Sequence, residues 1–133
     1  MTLYVITGPP CAGKSTWVRQ RAKPGDFVVD LDRIALAITA EGTPHHDYPQ
    51  HIRKAAVLVR KQAVAVAVMS SRAHDAYVIH SKPPKAARAV YKRNGATFVH
   101  LSAPLTVLME LARAERPAWV LGAIGAWFDE PDA

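Results

Sequence analysis

Residues 8–15 read Gly-Pro-Pro-Cys-Ala-Gly-Lys-Ser, an unbroken G-x-x-x-x-G-K-[ST] pattern. The run follows the apolar segment Leu3-Tyr4-Val5-Ile6-Thr7 and opens a helix-forming stretch from Gly13 to about Lys23, which Pro24-Gly25 stops. Strand, loop and helix in that order surround one anion with backbone N–H groups and the positive end of the helix. Gly8 and Gly13 let the backbone approach with no Cβ in the way, and Pro9, Pro10, Cys11 and Ala12 complete the cradle. Lys14 supplies a cation for β- and γ-phosphates, Ser15 a hydroxyl for Mg²⁺, and Thr16 a second hydroxyl for the α-phosphate. ATP or GTP with Mg²⁺ is the expected ligand of residues 8–16. Cys11 is read as a small residue tolerated at a variable loop position. A redox-sensitive thiol stays open, because a helix N-terminus lowers thiol pKa.

The rest of the chain limits what can surround such a loop. Its 133 residues suit one domain, and with 50% hydrophobic and 21% charged residues it should bury a core. The longest charge-free apolar stretches, residues 63–69 and 117–128, fall short of the ~20 residues of a membrane-spanning helix, so no membrane partner is expected. The first residues run from Met1 straight into the loop's strand, so no signal peptide and a cytoplasmic location are expected. One cysteine excludes an intramolecular disulfide and any multi-cysteine metal site. A net charge of +6, from 17 Lys+Arg against 11 Asp+Glu, favours anionic partners such as nucleotides, phosphorylated metabolites or nucleic acid.

Short β-rich runs alternate with longer helical ones, which predicts a three-layer α/β fold with a small, mostly parallel sheet flanked by helices. Strands are expected over residues 3–7, 27–30, 77–80 and 97–101, with no fifth strand in view. Helices are expected over 33–40, 84–92, 105–112 and 118–128. Residues 49–69 form the longest stretch without a breaker, and the basic pairs Arg53-Lys54 and Arg60-Lys61 recur at seven residues. Its end, residues 63–68, alternates as a strand does, but both alternating residues are apolar. A buried helix is the expectation there, with a strand as the alternative.

Residues 28–33 read Val-Val-Asp-Leu-Asp-Arg. An Asp-x-Asp at the carboxyl end of a parallel strand shares a rim with the phosphate loop. One carboxylate can hold a Mg²⁺ shell while the other takes a proton from an attacking hydroxyl. Capping of the following helix is the plainer alternative. Strand three ends in His80-Ser81-Lys82 and offers no acidic competitor to Asp30.

With "GPPCAGKSTW" near the N-terminus and "VVDLDR" about fifteen residues later, the chain resembles the small P-loop kinases. These include phage-type polynucleotide kinases, shikimate and gluconate kinases, and related phage-encoded P-loop proteins. The resemblance implies that an aspartate on strand two deprotonates the acceptor hydroxyl and that an arginine just beyond it grips the acceptor. Asp32 or Asp30 would be the base and Arg33 the acceptor contact. Asp32 is favoured as base, and Asp30, at a strand end expected directly beside the phosphate loop, as metal ligand with Ser15. The resemblance also assigns Arg113 and Arg116 to a short lid, about residues 113–118, that neutralises the transferring phosphoryl group. Surface salt bridges with Glu110 and Glu115 are the alternative.

The family places an acceptor-binding insert between strands two and three, here about residues 41–70. It carries His45, His46, Tyr48, His51 and the four cations, of which Arg53 and Arg60 are the expected acceptor contacts. A solvated helix face is the plainer reading. His45-His46-Asp47 lacks a further anchored ligand and is not read as a metal site. Trp119 and Trp127 are expected to pack on the sheet. The leading reading is transfer of the γ-phosphoryl of ATP to a hydroxyl of a nucleoside, nucleotide or nucleic acid. A nucleotide hydrolase or switch, for which His80 is the water-activating candidate, and a non-catalytic ATP-binding module remain the alternatives.

Overall fold

The apolar run at residues 3–7 forms β1 (Leu3–Thr7), and every other strand is placed by its pairing with β1 or with a neighbour of β1. The computed structural model describes residues 1–44, 47–115 and 119–129. In chain order, β1 is followed by α1 (Lys14–Arg21), β2 (Phe27–Val29), α2 (Leu31–Ile38) and α3 (Gln50–Ser70). Then come β3 (Ala76–Ile79), α4 (Lys85–Arg93), β4 (Thr97–His100), α5 (Leu105–Glu115) and α6 (Trp119–Asp129). The four described strands are all parallel in the order β2-β3-β1-β4. Val5 sits opposite Val78 on one side and Phe98 on the other, and Ile6 opposite Ile79 and Val99. A parallel register aligns the carboxyl ends of all strands on one rim, the rim that carries the phosphate loop.

Covering both faces of such a sheet explains why β1 and β3 read as nearly unbroken apolar runs. On one face Leu3, Val5, Val29 and Val78 meet Ala67 and Val68 of α3 and Tyr91 of α4. On the other, Ile6, Tyr77 and Ile79 meet Val18 and Trp17 of α1, with Tyr4 stacked on Tyr77 at 4.9 Å. A third cluster, Leu108, Ala112, Val120 and Ile124, joins α5 to α6, and Cys11 and Ala12 of the loop rest against it.

Four expectations change. Residues 63–68 are helical, as the first reading has it, but α3 is not buried all round: Leu58 and Met69 are 69% and 70% exposed. The helix packs on α2, β2 and β3 through one side, with Ala56, Ala67 and Val68 buried. The helix expected over 33–40 starts earlier, at Leu31. Asp30 is its N-cap in extended conformation and accepts from the Asp32 backbone N–H at 3.1 Å. The strand carrying Asp30 is not directly beside the loop's strand, since β3 lies between β2 and β1. Finally, Trp127 sits at the carboxyl rim rather than against the sheet face. Its Nε1 donates to the Ser81 carbonyl at 3.2 Å and its ring stacks on His100 at 5.9 Å. The Trp119 side chain lies outside the described residues.

Candidate functional site

The loop between β1 and α1 takes a shape that calls for glycine at both ends. Gly8 has φ 144°, and a Cβ there would collide with the Leu101 carbonyl oxygen of the segment after β4. Its N–H donates to the Ser81 carbonyl at 3.0 Å, tying the loop to the end of β3. Gly13 has φ 91° and caps α1, while Cys11 holds the left-handed region at φ 66°, unusual for a residue with a Cβ. Lys14 folds back across the loop and donates to the carbonyls of Gly8 and Pro9 at 2.8 and 2.7 Å. Its ammonium is thereby held at the mouth of the cradle.

A cavity of about 260 Å³ opens over this loop. Pro10, Cys11, Gly13, Lys14, Ser15 and Thr16 line its floor, whereas Gly8, Pro9 and Ala12 shape the loop without lining it. Asp30 and Asp32 also line the cavity. Ser15 Oγ donates to Asp30 Oδ2 at 3.1 Å, while Asp30 Oδ1 holds the cap of α2. Asp30 is 8% exposed, with one oxygen on the helix cap and the other on Ser15.

Asp32, in the first turn of α2, accepts a hydrogen bond from the Tyr48 hydroxyl at 2.6 Å. Burial first, and then the Asp32 carboxylate, push the Tyr48 phenol well above its ordinary value, so it stays protonated and donates. Sequence reading counts Tyr48 only among the polar residues of its segment. No periodicity announces a tertiary partner sixteen residues away.

The four cations of α3 divide. Arg53 and Arg60 are half-buried and line the cavity, whereas Lys54 and Lys61 are exposed outside it. Seven residues return a helix to the same side, and one residue more turns it by about 100°. Burial lowers Arg60 from its ordinary value, Arg53 adding to the effect and Tyr91 opposing it; guanidinium stays charged throughout the working range. Arg33 is exposed and does not line the cavity, because the early start of α2 turns Asp32 inward and its neighbour away. Arg113 is exposed in the last turn of α5, away from the cavity lining, and Arg116 lies outside the described residues. From the C-terminal part, Val120 and Ala123 of α6 reach the cavity instead. Arg19, which sequence reading passed over, lines it from α1 and donates to Thr16 Oγ1 at 3.1 Å.

His80 faces elsewhere. Its Nδ1 is 2.9 Å from the Tyr91 hydroxyl and it does not line the cavity. Burial, with Arg60 and Arg88 adding to it, pushes the imidazole down to about 4. Among the described residues no cluster of three His, Cys, Asp or Glu side chains is placed to hold a metal. His45 and His46 lie outside the described residues.

The sequence profile of the AAA domain family matches residues 3–79, more than half of the chain. The chain belongs to this family. The match takes in the loop, both aspartates, Tyr48 and the α3 arginines, so the cavity wall is almost wholly AAA-domain sequence. The fold of this AAA-family chain is similar to that of the Deinococcus radiodurans tunicamycin resistance protein. The TM-score is 0.56 and the identity 20%, over 96% of this chain and 78% of that one. No curated protein matches the chain by sequence. The parallel sheet with its loop is a P-loop α/β fold, and the likeness to small P-loop kinases stands. The chain is a P-loop, nucleotide-binding protein of this family with a kinase-like fold. No helix among the described residues is long and apolar enough to cross a membrane.

Proposed function

We propose that residues 1–133 act as one domain that transfers the γ-phosphoryl group of ATP or GTP to a hydroxyl of an anionic acceptor. A nucleoside, nucleotide or nucleic-acid end is the favoured acceptor class, with residues 41–70 forming its binding segment. One observation carries the reading. A single cavity is lined by Lys14 and the Ser15–Asp30 pair and also by Asp32, Arg53 and Arg60. Binding a nucleotide needs only the first group; the second supplies a proton acceptor and two anion contacts for another substrate.

In this reading the acceptor hydroxyl oxygen forms a bond to the γ-phosphorus as the bond from that phosphorus to the β–γ bridging oxygen breaks. The hydroxyl proton passes to the Asp32 carboxylate, and the nucleoside diphosphate leaves with the bridging oxygen's charge. Lys14 holds the phosphates, and the loop N–H groups orient them. The hydroxyl–carboxylate pair Ser15–Asp30 is an oxygen-donor set suited to Mg²⁺, which when bound would neutralise phosphate charge there. Arg53 and Arg60 bind the acceptor's anionic group, and guanidinium suits phosphate oxygens because it donates in a planar fork. His80, turned to Tyr91, does not support water activation in this cavity.

Labelled-phosphate transfer from ATP across nucleosides, oligonucleotides and small hydroxy acids tests the proposal. Label is expected on an anionic acceptor. Release of inorganic phosphate only, unchanged by every acceptor, would establish a hydrolase instead. Tight ATP binding with neither outcome would leave a binding module.

A further inference from the structure

Tyr48 reaches Asp32, a residue of the cavity lining, by a fixed route. Pro49 follows it with φ −60° as the N-cap of α3, and the Pro49 carbonyl accepts from the Ile52 and Arg53 N–H groups, each at 3.0 Å. The tyrosine is therefore placed by the start of a helix, one turn before an arginine that lines the same cavity. Its hydroxyl meets Asp32 Oδ1 at 2.6 Å, the length of a charge-assisted O–H···O⁻ bond.

That bond matters because of what else surrounds Asp32. Asp30 stands on the α2 cap, Lys14 and Arg19 come from α1, and Arg53 and Arg60 from α3, all on one cavity. Four positive charges and a second carboxylate thus share the cavity with Asp32. The terminal torsion of an aspartate is broad and nearly two-fold, so charges alone do not set its plane. A directional donor on a helix-anchored ring does.

Resting on the phosphotransferase reading above, we propose that Tyr48 is a positioning residue, whose hydroxyl fixes the Asp32 carboxylate so that it receives the acceptor's proton. As the acceptor oxygen bonds to the γ-phosphorus and the bond to the diphosphate breaks, the proton moves to Asp32. Tyr48 donates before and after that step and does not exchange a proton itself.

The test is a double-mutant cycle on the full chain, reading kcat and KM for transfer and the ATP dissociation constant by calorimetry. Tyr48→Phe, which removes only the hydroxyl, is expected to lower transfer kcat by on the order of tenfold or more. ATP affinity and KM for ATP stay at wild-type values, which also shows that the variant folds. Asp32→Asn is expected to lower kcat further, and adding Tyr48→Phe to it to cost nothing more. If Asp32→Asn is impaired while Tyr48→Phe transfers normally, the positioning role is wrong and the proposed function survives. An added loss in the double variant overturns it equally, because Tyr48 then acts on substrate rather than through Asp32. If Asp32→Asn transfers at the wild-type rate, Asp32 is not the base and the positioning role falls with it while phosphoryl transfer stands. If the wild type phosphorylates no acceptor, the phosphotransferase reading falls and takes this role with it.

Discussion

Ser15 on α1 donates to Asp30 at the head of α2 across 3.1 Å, although β3 separates the strands from which the two elements spring. The contact closes the loop against the second half of the cavity and gives one carboxylate two duties. Those duties are separable by substitution. Asp30→Asn keeps a capping oxygen for the Asp32 N–H, so thermal stability should change little. Mg²⁺-dependent nucleotide binding should weaken, because an amide is a poorer ligand for a hard cation. Asp30→Ala should lose the binding and also about 1 kcal/mol of stability with the cap. Equal Mg²⁺ dependence in wild type and Asp30→Asn, measured by calorimetry with and without chelator, would leave Asp30 a cap only.

Lys14→Ala removes the ammonium that Gly8 and Pro9 hold over the cradle. Most of the affinity for ATP or GTP should disappear, while the melting temperature without nucleotide stays near wild type. Gly8→Ala behaves differently, since its Cβ meets the Leu101 carbonyl and its φ of 144° suits glycine alone. That variant should be destabilised without ligand, a contrast that differential scanning calorimetry reads directly. Undiminished nucleotide affinity in Lys14→Ala would remove the lysine from the site.

The loop was legible in the sequence because its shape is local: two glycines, a lysine and a hydroxyl within eight residues specify it. The α/β order was legible for the same reason, as strand and helix runs alternate between breakers. What escaped was non-local. Nothing in residues 27–32 tells that β2 pairs with β3 rather than with β1. The inward turn of Asp32 and outward turn of Arg33 depend on a cap that starts α2 two residues before the expected bound. Tyr48 found its partner only through the path of a connection with no periodicity. Leu58 and Met69 are apolar like the inner face of α3, so hydropathy alone did not separate the two sides.

His80 predicts an acid-side loss of stability. Its folded value, about 4, lies below the ordinary 6.5, so the unfolded chain takes up the proton first as pH falls. Stability associated with this group is complete above pH 6.5 and declines down to about pH 4, by up to roughly 3 kcal/mol. His80→Gln, which does not titrate, should abolish that part of the slope in denaturant melts between pH 4 and 6.5. A slope identical to wild type would show that the imidazole near Tyr91 is not what acid attacks.

The sharpest prediction comes from the division of α3. Arg53 and Arg60 line the cavity and Lys54 and Lys61 do not, although the four form two adjacent pairs in sequence. If net positive charge alone recruited the acceptor, neutralising either pair would raise its KM alike and reduce its salt dependence alike. If contact recruits it, Arg53→Gln with Arg60→Gln should raise the acceptor's KM by on the order of tenfold or more, since bonds to a charged group are lost. Lys54→Gln with Lys61→Gln, equal in charge removed, should change it by less than about twofold. KM for ATP serves as the internal reference and should hold in the lysine pair. Arg53→Lys should recover little, because a point charge lacks the planar fork. Equal effects of the two pairs would return α3 to a solvated basic face and move the acceptor's anion contacts elsewhere on the cavity wall.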